Sequence, residues 1–344
     1  MLRSSSLGHQ TAFLLALPIA GLLCLTSATG AGAESAASDP SPPSGDSESP
    51  SPSAEIVALE FDWPVGMKAR AVSRIRRSRL RAGVTDSTSI VSTYQMQCSR
   101  HPEGLLIEYR SFALVDEDEL PTQPQPERLA QLASSMMPSL IVAEDGELLR
   151  IEGVERIREG LEPLLEPVRE DDPQIAAALG ELLARALSED ALEERVAEEW
   201  SALVGFWAEA DLEIGATYEM ESESAHPLFP GTMLPFRFRF WAEGRKPCHE
   251  DDPEANCIEL RMMSFPDPDV LQGILDQLLS APGAAAYEEL HIENSVRLLT
   301  EPGSLLPHRI DVLRTTWGMI RPSGERAAPF EQMQLRSTAY FYEE

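Results

Sequence analysis

Apolar and polar residues alternate along most of this chain. The period is first the two residues of strands, then the 3.6 of helices, then two again. The opening strand candidates are Ile56–Trp63, Met67–Ala82, Thr88–Ser99 and Gly104–Val115, divided by Pro64-Val65-Gly66, Gly83 and His101-Pro102-Glu103-Gly104. Glu127–Met137 reads as a short helix. In "SLIVAEDGELLRIEG", Asp145-Gly146 between two apolar runs signals a hairpin. Three helical patterns follow: Ile157, Leu161, Leu164, Leu165 and Val168; then Ile175, Leu179, Leu182, Leu183 and Ala186; then Leu192, Val196, Trp200, Leu203, Val204 and Trp207 within Glu189 to Ala208. Strands return at Leu212–Ser222, Met233–Trp241 and Cys257–Met263. Asp267-Pro268 opens a short helix with an apolar face of Leu271, Ile274, Leu275 and Leu278. Glu288–Leu299, Arg309–Ile320 and Glu331–Tyr342 close the chain as strands.

Strands, a helical block, then strands again, with no alternating βαβ units, predict an α+β fold. The expected form is a large curved antiparallel sheet, half-barrel-like, with the helical block packed on one face. It occupies 55–344 as a single domain with possible halves 55–210 and 211–344. In outline this arrangement resembles the periplasmic half-barrels that carry lipoproteins or lipids. That resemblance implies a hydrophobic cavity between sheet and helices and transfers no residue roles. The chain is also similar to exported bacterial proteins of unknown function that join a leader, a Ser/Pro-rich linker and a globular remainder, which implies no activity.

The ends of the chain carry their own patterns. Residues 1–33 read as a signal peptide, with Arg3, an apolar run from Ala12 to Leu25, and Ala31-Gly32-Ala33 as a small-residue cleavage site. Cleavage near Ala33 predicts a periplasmic or secreted bacterial protein with no transmembrane segment left. Cys24 raises the question of lipidation, but Leu23 stands where a lipobox has a small residue. Residues 34–54 ("DPSPPSGDSESPSPS" within them) are too polar and Pro-rich to order themselves.

Composition narrows the chemistry. A formal charge of −29 disfavours nonspecific nucleic-acid binding. No phosphate loop, dinucleotide fingerprint, Gly-x-Ser-x-Gly elbow or His-Glu-x-x-His helix is present, so no cofactor or catalytic residue is assigned. In "CHEDDPEANC", Cys248 and Cys257 flank an acidic tip carrying His249, Glu250, Asp251, Asp252 and Glu254. A disulfide closing this loop is expected rather than a metal site, because zinc wants four N/S ligands and three lie here. Cys98 reads as a buried, inert thiol.

One stretch stands apart: "MKARAVSRIRRSRLRAG" places seven basic residues between Met67 and Ala82. Lys68, Arg70, Arg74 and Arg76 are even, whereas Arg77, Arg79 and Arg81 are odd. A bulge at Arg76-Arg77 would put all seven on one face. Carboxylates of Glu60, Asp62, Asp86 or Glu108 would then partner them, or that face, through Arg74, Arg76, Arg77 and Arg79, would meet an anionic lipid or envelope component. Trp200 and Trp207 are candidate pocket residues, or simply core. The expectation is an exported, non-enzymatic protein binding a hydrophobic or lipid-like ligand between sheet and helices. The alternatives are a structural or interaction module of the envelope, and a hydrolase whose site assembles in space.

Overall fold

The computed structural model describes residues 55–81, 84–115, 136–171, 187–226, 229–249, 257–278, 286–321 and 327–343, with scattered positions between 173 and 184. The leader, the linker, the Glu127–Met137 helix up to residue 135, the acidic tip 250–256, and the side chains of Leu164, Leu165, Ile175, Leu179, Leu182, Ala186, Ile274, Leu275 and Leu278 lie outside the described residues.

The strands are β1 (Ile56–Ala58), β2 (Lys68–Arg81), β3 (Val84–His101), β4 (Gly104–Val115), β5 (Ser139–Val142), β6 (Leu148–Glu152), β7 (Asp211–Glu213), β8 (Thr217–His226), β9 (Phe229–Lys246), β10 (Cys257–Pro266), β11 (Ala286–Thr300), β12 (Pro307–Arg321) and β13 (Ala328–Tyr342). The helices are α1 (Val154–Asp171), α2 (Glu189–Trp200), which runs into a π-helical turn at Ser201–Gly205, and α3 (Pro268–Leu278). Eleven strands form one open antiparallel sheet in the order β6-β5-β4-β3-β2-β13-β12-β11-β10-β9-β8, and β1 pairs separately with β7. The fold is therefore α+β. Strands of the N-terminal and C-terminal parts meet at β2–β13, in continuous register from Ala69↔Tyr342 to Arg81↔Phe330. Among the described residues no helix is long and apolar enough to cross a membrane.

The predicted strand Ile56–Trp63 is a strand only to Ala58. Beyond it Leu59, Glu60 and Asp62 give their backbone N–H groups to Ala210, Pro302 and Ser304. Burial still alternates here, with Val57, Leu59 and Trp63 buried, but the backbone partners are loops and not a neighbouring strand.

The core lies between one face of the sheet and α1, α2 and the π turn. The sheet supplies Ala69, Ala71, Met96, Cys98, Ile107, Leu140, Leu260 and Leu298, and the cover supplies Ile157, Leu161, Leu192, Val196, Trp200, Val204 and Trp207. Ser188 caps α2, its hydroxyl accepting from the Ala191 N–H at 3.3 Å. The Asp145-Gly146 turn is fixed by packing as well as by turn chemistry. Gly146 has φ 93°, and a Cβ there would sit 3.0 Å from the Phe61 ring. Its carbonyl also accepts from the Trp200 indole at 2.8 Å.

The opposite face of the sheet carries charge. Glu259 has no solvent exposure and receives Arg261 at 2.9 Å, Arg297 at 2.7 and 2.8 Å, and the ammonium of Lys246. Arg309 and Arg297 continue the ladder to Asp311 at 3.0 and 4.0 Å. At the sheet's end, Glu219 and Glu221 of β8 pair with Arg239 and Arg237 of β9. Burial works against ionisation of Glu259, but hydrogen bonds from Arg297 and Lys246 outweigh it and hold the carboxyl at about 2. Because the folded-state value lies below the ordinary 4.5, the stabilisation is complete above that pH and is lost as pH falls through about 2. Glu259→Gln leaves three cations around a neutral amide. We expect it to cost about 2–3 kcal/mol in urea unfolding at pH 7, toward the low end for buried pairs because the cations keep some water. The variant should lose less stability than the wild type between pH 4 and 2.

Candidate binding site

Parity along β2 decides where its cations point. The register against β3 and β13 runs from Lys68 to Arg81 with no shift, so there is no bulge at Arg76-Arg77. Ala69, Ala71, Ser73 and Ile75 face the helices and are buried. Arg77 and Arg79 continue on that same face, while Lys68, Arg70, Arg74 and Arg76 are on the opposite one. At odd positions the strand switches from apolar to basic after Ile75, on an unchanged register.

The expected carboxylate partners are mostly elsewhere. Glu108 pairs with Arg110 at 2.7 Å and lies 3.6 Å from Arg156. Asp86 alone of the four acids stands directly across from a β2 arginine, Arg79. The residues opposite Lys68, Arg70, Arg74 and Arg76 on β3 are Gln97, Gln95, Val91 and Ser89, all uncharged.

Deeper on the helix-bearing face, charge is brought into the interior. Arg336 of β13 lies opposite Ile75 and donates to Glu199 of α2 at 2.5 Å. Beside it, Arg314 of β12 reaches Glu198. Arg195 donates to the Met136 carbonyl at 2.6 Å, and its Nε is buried without a hydrogen-bond partner among the described residues. Burial opposes the charge on Glu199, yet Arg336 and Arg195 together keep its carboxyl below the ordinary range. Burial lowers Arg195 itself. Tyr94, Tyr109 and Tyr340 close around this pair, their phenols pushed upward chiefly by burial, with Tyr94 bonded to Tyr340.

These residues, with Trp200 and Leu203, line a space of about 50 Å³ between sheet and α2. Its size suits a few waters and not an acyl chain. Trp200 is buried, stacks edge-on against Trp63 and Phe61, and lines this space. Trp207 is fully buried in a separate aromatic cluster with Phe206 and Phe240 and donates to the Ala202 carbonyl at 2.9 Å.

Beyond this space the same face turns polar and half-buried, with Arg77, Arg79, Gln332, Gln334, Arg314 and Thr316 on adjoining strands. Arg77 Nε donates to Gln334 at 3.0 Å. Burial lowers its pKa, and the like charge of Arg79 adds to that. A desolvated guanidinium with a neutral hydrogen-bond partner and a cationic neighbour is an arrangement an anion relieves. On the opposite face sits an open hollow of about 700 Å³ around Trp317, Glu289, Glu293 and Glu331, with His291 stacked on Trp317 at 5.2 Å. Its members come from four strands, β2, β11, β12 and β13, and no single-strand pattern announces it.

The cysteines and histidines gather elsewhere. Cys248 and Cys257 form a disulfide with Cα atoms 5.0 Å apart. Cys98 is free and buried, its thiol pushed up to about 11 by burial. His308 lies between Glu301 at 3.1 Å and His249 at 3.0 Å, and Ser304 donates to Glu301 at 3.0 Å. Here the carboxylate sits between hydroxyl and imidazole, so His308 does not activate Ser304 as a nucleophile.

No protein-family model matches the chain, and no curated protein matches it. A solved structure of lipovitellin, described for its lipid–protein interactions, aligns over 82% of this chain at 10% identity with a TM-score of 0.41. The chain spans 26% of that structure's length. At that score the likeness carries no weight for either fold or ligand.

Removing one member of the Glu199–Arg336 pair should be worse than removing both. We expect Glu199→Gln to cost about 2–4 kcal/mol and Glu199→Leu with Arg336→Met to recover most of it. Thermal and urea unfolding of the three proteins checks this.

Proposed function

We propose that this is an exported, non-enzymatic binding protein that holds an amphipathic anion of the lipid class on the helix-bearing face of its sheet. The observation that carries the reading is Arg77, desolvated, hydrogen-bonded to a neutral Gln334, and repelled by Arg79. An anionic head group would supply the Arg77 guanidinium with a charged partner. Ile75 and Val312, on the same face one register step nearer the helices, would take the adjoining apolar part. The space beneath α2 is too small for a chain, so the ligand would lie along the polar stretch outside α2 and not under it.

The filled interior favours a second reading, a structural or interaction module of the cell envelope that takes no ligand. Binding separates the two. Micelles of a short-chain phosphatidylglycerol should bind at low salt, and phosphatidylcholine micelles should bind at least tenfold more weakly by the estimate for charge-assisted pairs. Arg77→Gln with Arg79→Gln should remove that preference, while Arg74→Gln with Arg76→Gln, on the other face, should keep it. Equal binding of both lipids, or a preference that survives Arg77→Gln with Arg79→Gln, sinks the ligand reading. Absence of any binding supports the module.

A further inference from the structure

The sequence places three N/S ligands in "CHEDDPEANC", one short of a zinc set, and the fold supplies the fourth. His308, from β12, packs against the loop ends so that one of its ring nitrogens and the sulfurs of Cys248 and Cys257 all lie within 4.8 Å of one another. His249, next to Cys248, points Nε2 at His308 Nδ1 across 3.0 Å. Cys248, Cys257 and His308 are buried, and His249 is half-buried and stacked on Phe341.

The hydrogen bonds also fix the direction of the lone pairs. His308 Nε2 faces the Glu301 carboxylate, which can only accept, so in the neutral imidazole the proton sits on Nε2 and Nδ1 carries the lone pair. That lone pair is aimed toward His249 and away from Glu301. A carboxylate behind a histidine, itself held by a hydroxyl, here Ser304, is the outer support that orients metal-binding imidazoles. Tetrahedral zinc, with Zn–N about 2.0–2.1 Å and Zn–S about 2.3 Å, sets its ligand atoms roughly 3.3–3.8 Å apart. The two sulfurs and His308 need only small adjustments once the sulfurs part, whereas His249, held 3.0 Å from His308 Nδ1, has to swing its ring toward them.

We propose that Cys248, Cys257, His249 and His308 form a Cys₂His₂ zinc site when the disulfide is reduced. Bridge and metal are then alternative closures of one loop. A dithiol reductant supplies two electrons and two protons. The Sγ–Sγ bond breaks, two thiols form, and the reductant leaves as its own disulfide. Zinc takes both sulfurs as thiolates, the two protons pass to solvent, and His249 presents Nε2 after its proton moves to Nδ1. Oxidation by a disulfide reverses the sequence and expels the metal.

The test uses the full chain, reduced anaerobically with dithiothreitol, freed of reductant, and shown by alkylation mapping to carry thiols at Cys248 and Cys257. Zinc alone is titrated and bound metal is counted by elemental analysis. Cobalt(II) substitution reports sulfur ligation through its thiolate charge-transfer band. The expected result is one zinc per reduced chain, none per oxidised chain, and release on adding a disulfide oxidant. His308→Gln and His249→Gln, which leave the cysteines intact, should each weaken zinc at least tenfold. Glu301→Gln should weaken it about 10–100-fold, as outer-support losses do. Cys98→Ser should change nothing. A reduced chain that takes up no zinc overturns the proposal. So does zinc affinity that His308→Gln leaves unchanged, or cobalt binding without the thiolate band.

Discussion

The structure depends on one pairing, β2 against β13. It joins residues separated by most of the described chain, and its register is unbroken from Ala69↔Tyr342 to Arg81↔Phe330. Because a strand's faces alternate strictly, this register determines the faces of both elements at once. A one-residue slip would turn Ala69, Ala71, Ser73 and Ile75 to the outside and bring Arg70 and Arg74 under the helices. It would also part Arg336 from Glu199 and Arg77 from Gln334. Closing so long a loop carries a large entropic cost before any contact repays it, so the pairing forms only with the apolar burial that accompanies it.

The molecule handles charge differently on its two faces. On the outer face Glu259 is surrounded by more cations than it needs, each of them partly in water, and the ladder runs on through Asp311. Such a carboxylate is held firmly ionised because its partners lose little hydration. On the inner face the balance runs the other way. Glu199 faces Arg336 and Arg195 where water is scarce, and the excess there is positive. Desolvation is the larger effect inside, so a cation such as Arg77, bonded to the neutral Gln334, is a costly group.

Much of the fold was legible in the chain. β4 matches its predicted bounds, β2, β3, β12 and β13 lie within a few residues of theirs, and the Asp145-Gly146 hairpin and the α2 stripe follow from period and turn chemistry. The alternation in β2 was legible too, yet its switch at Arg76-Arg77 fits either an inserted residue or a change of residue type along one face, and only the neighbouring strands' registers separate them. Leu59 and Trp63 mimic a strand because the sequence does not show that their partners are loop carbonyls, of Ala210 and Leu305. The interior ion pair was not legible. Arg336 and Glu199 lie far apart in sequence, each ordinary in its own element. The same holds for His308, which from "PHRID" alone is one histidine on a strand, with nothing to link it to a cysteine loop.

The open sheet ends, among the described residues, in β6 on one side and β8 on the other. β8, the edge strand on that side, carries Glu219 and Glu221 at alternate positions, each beside an arginine of β9. On a molecule of charge −29, that row acts as a gatekeeper against self-templating. A second copy approaching edge to edge brings a strongly negative molecule against its like. The barrier is electrostatic and not steric, so acid or concentrated salt, which quench the carboxylates, would open a route to fibrous, sheet-extended assembly with the native fold still intact.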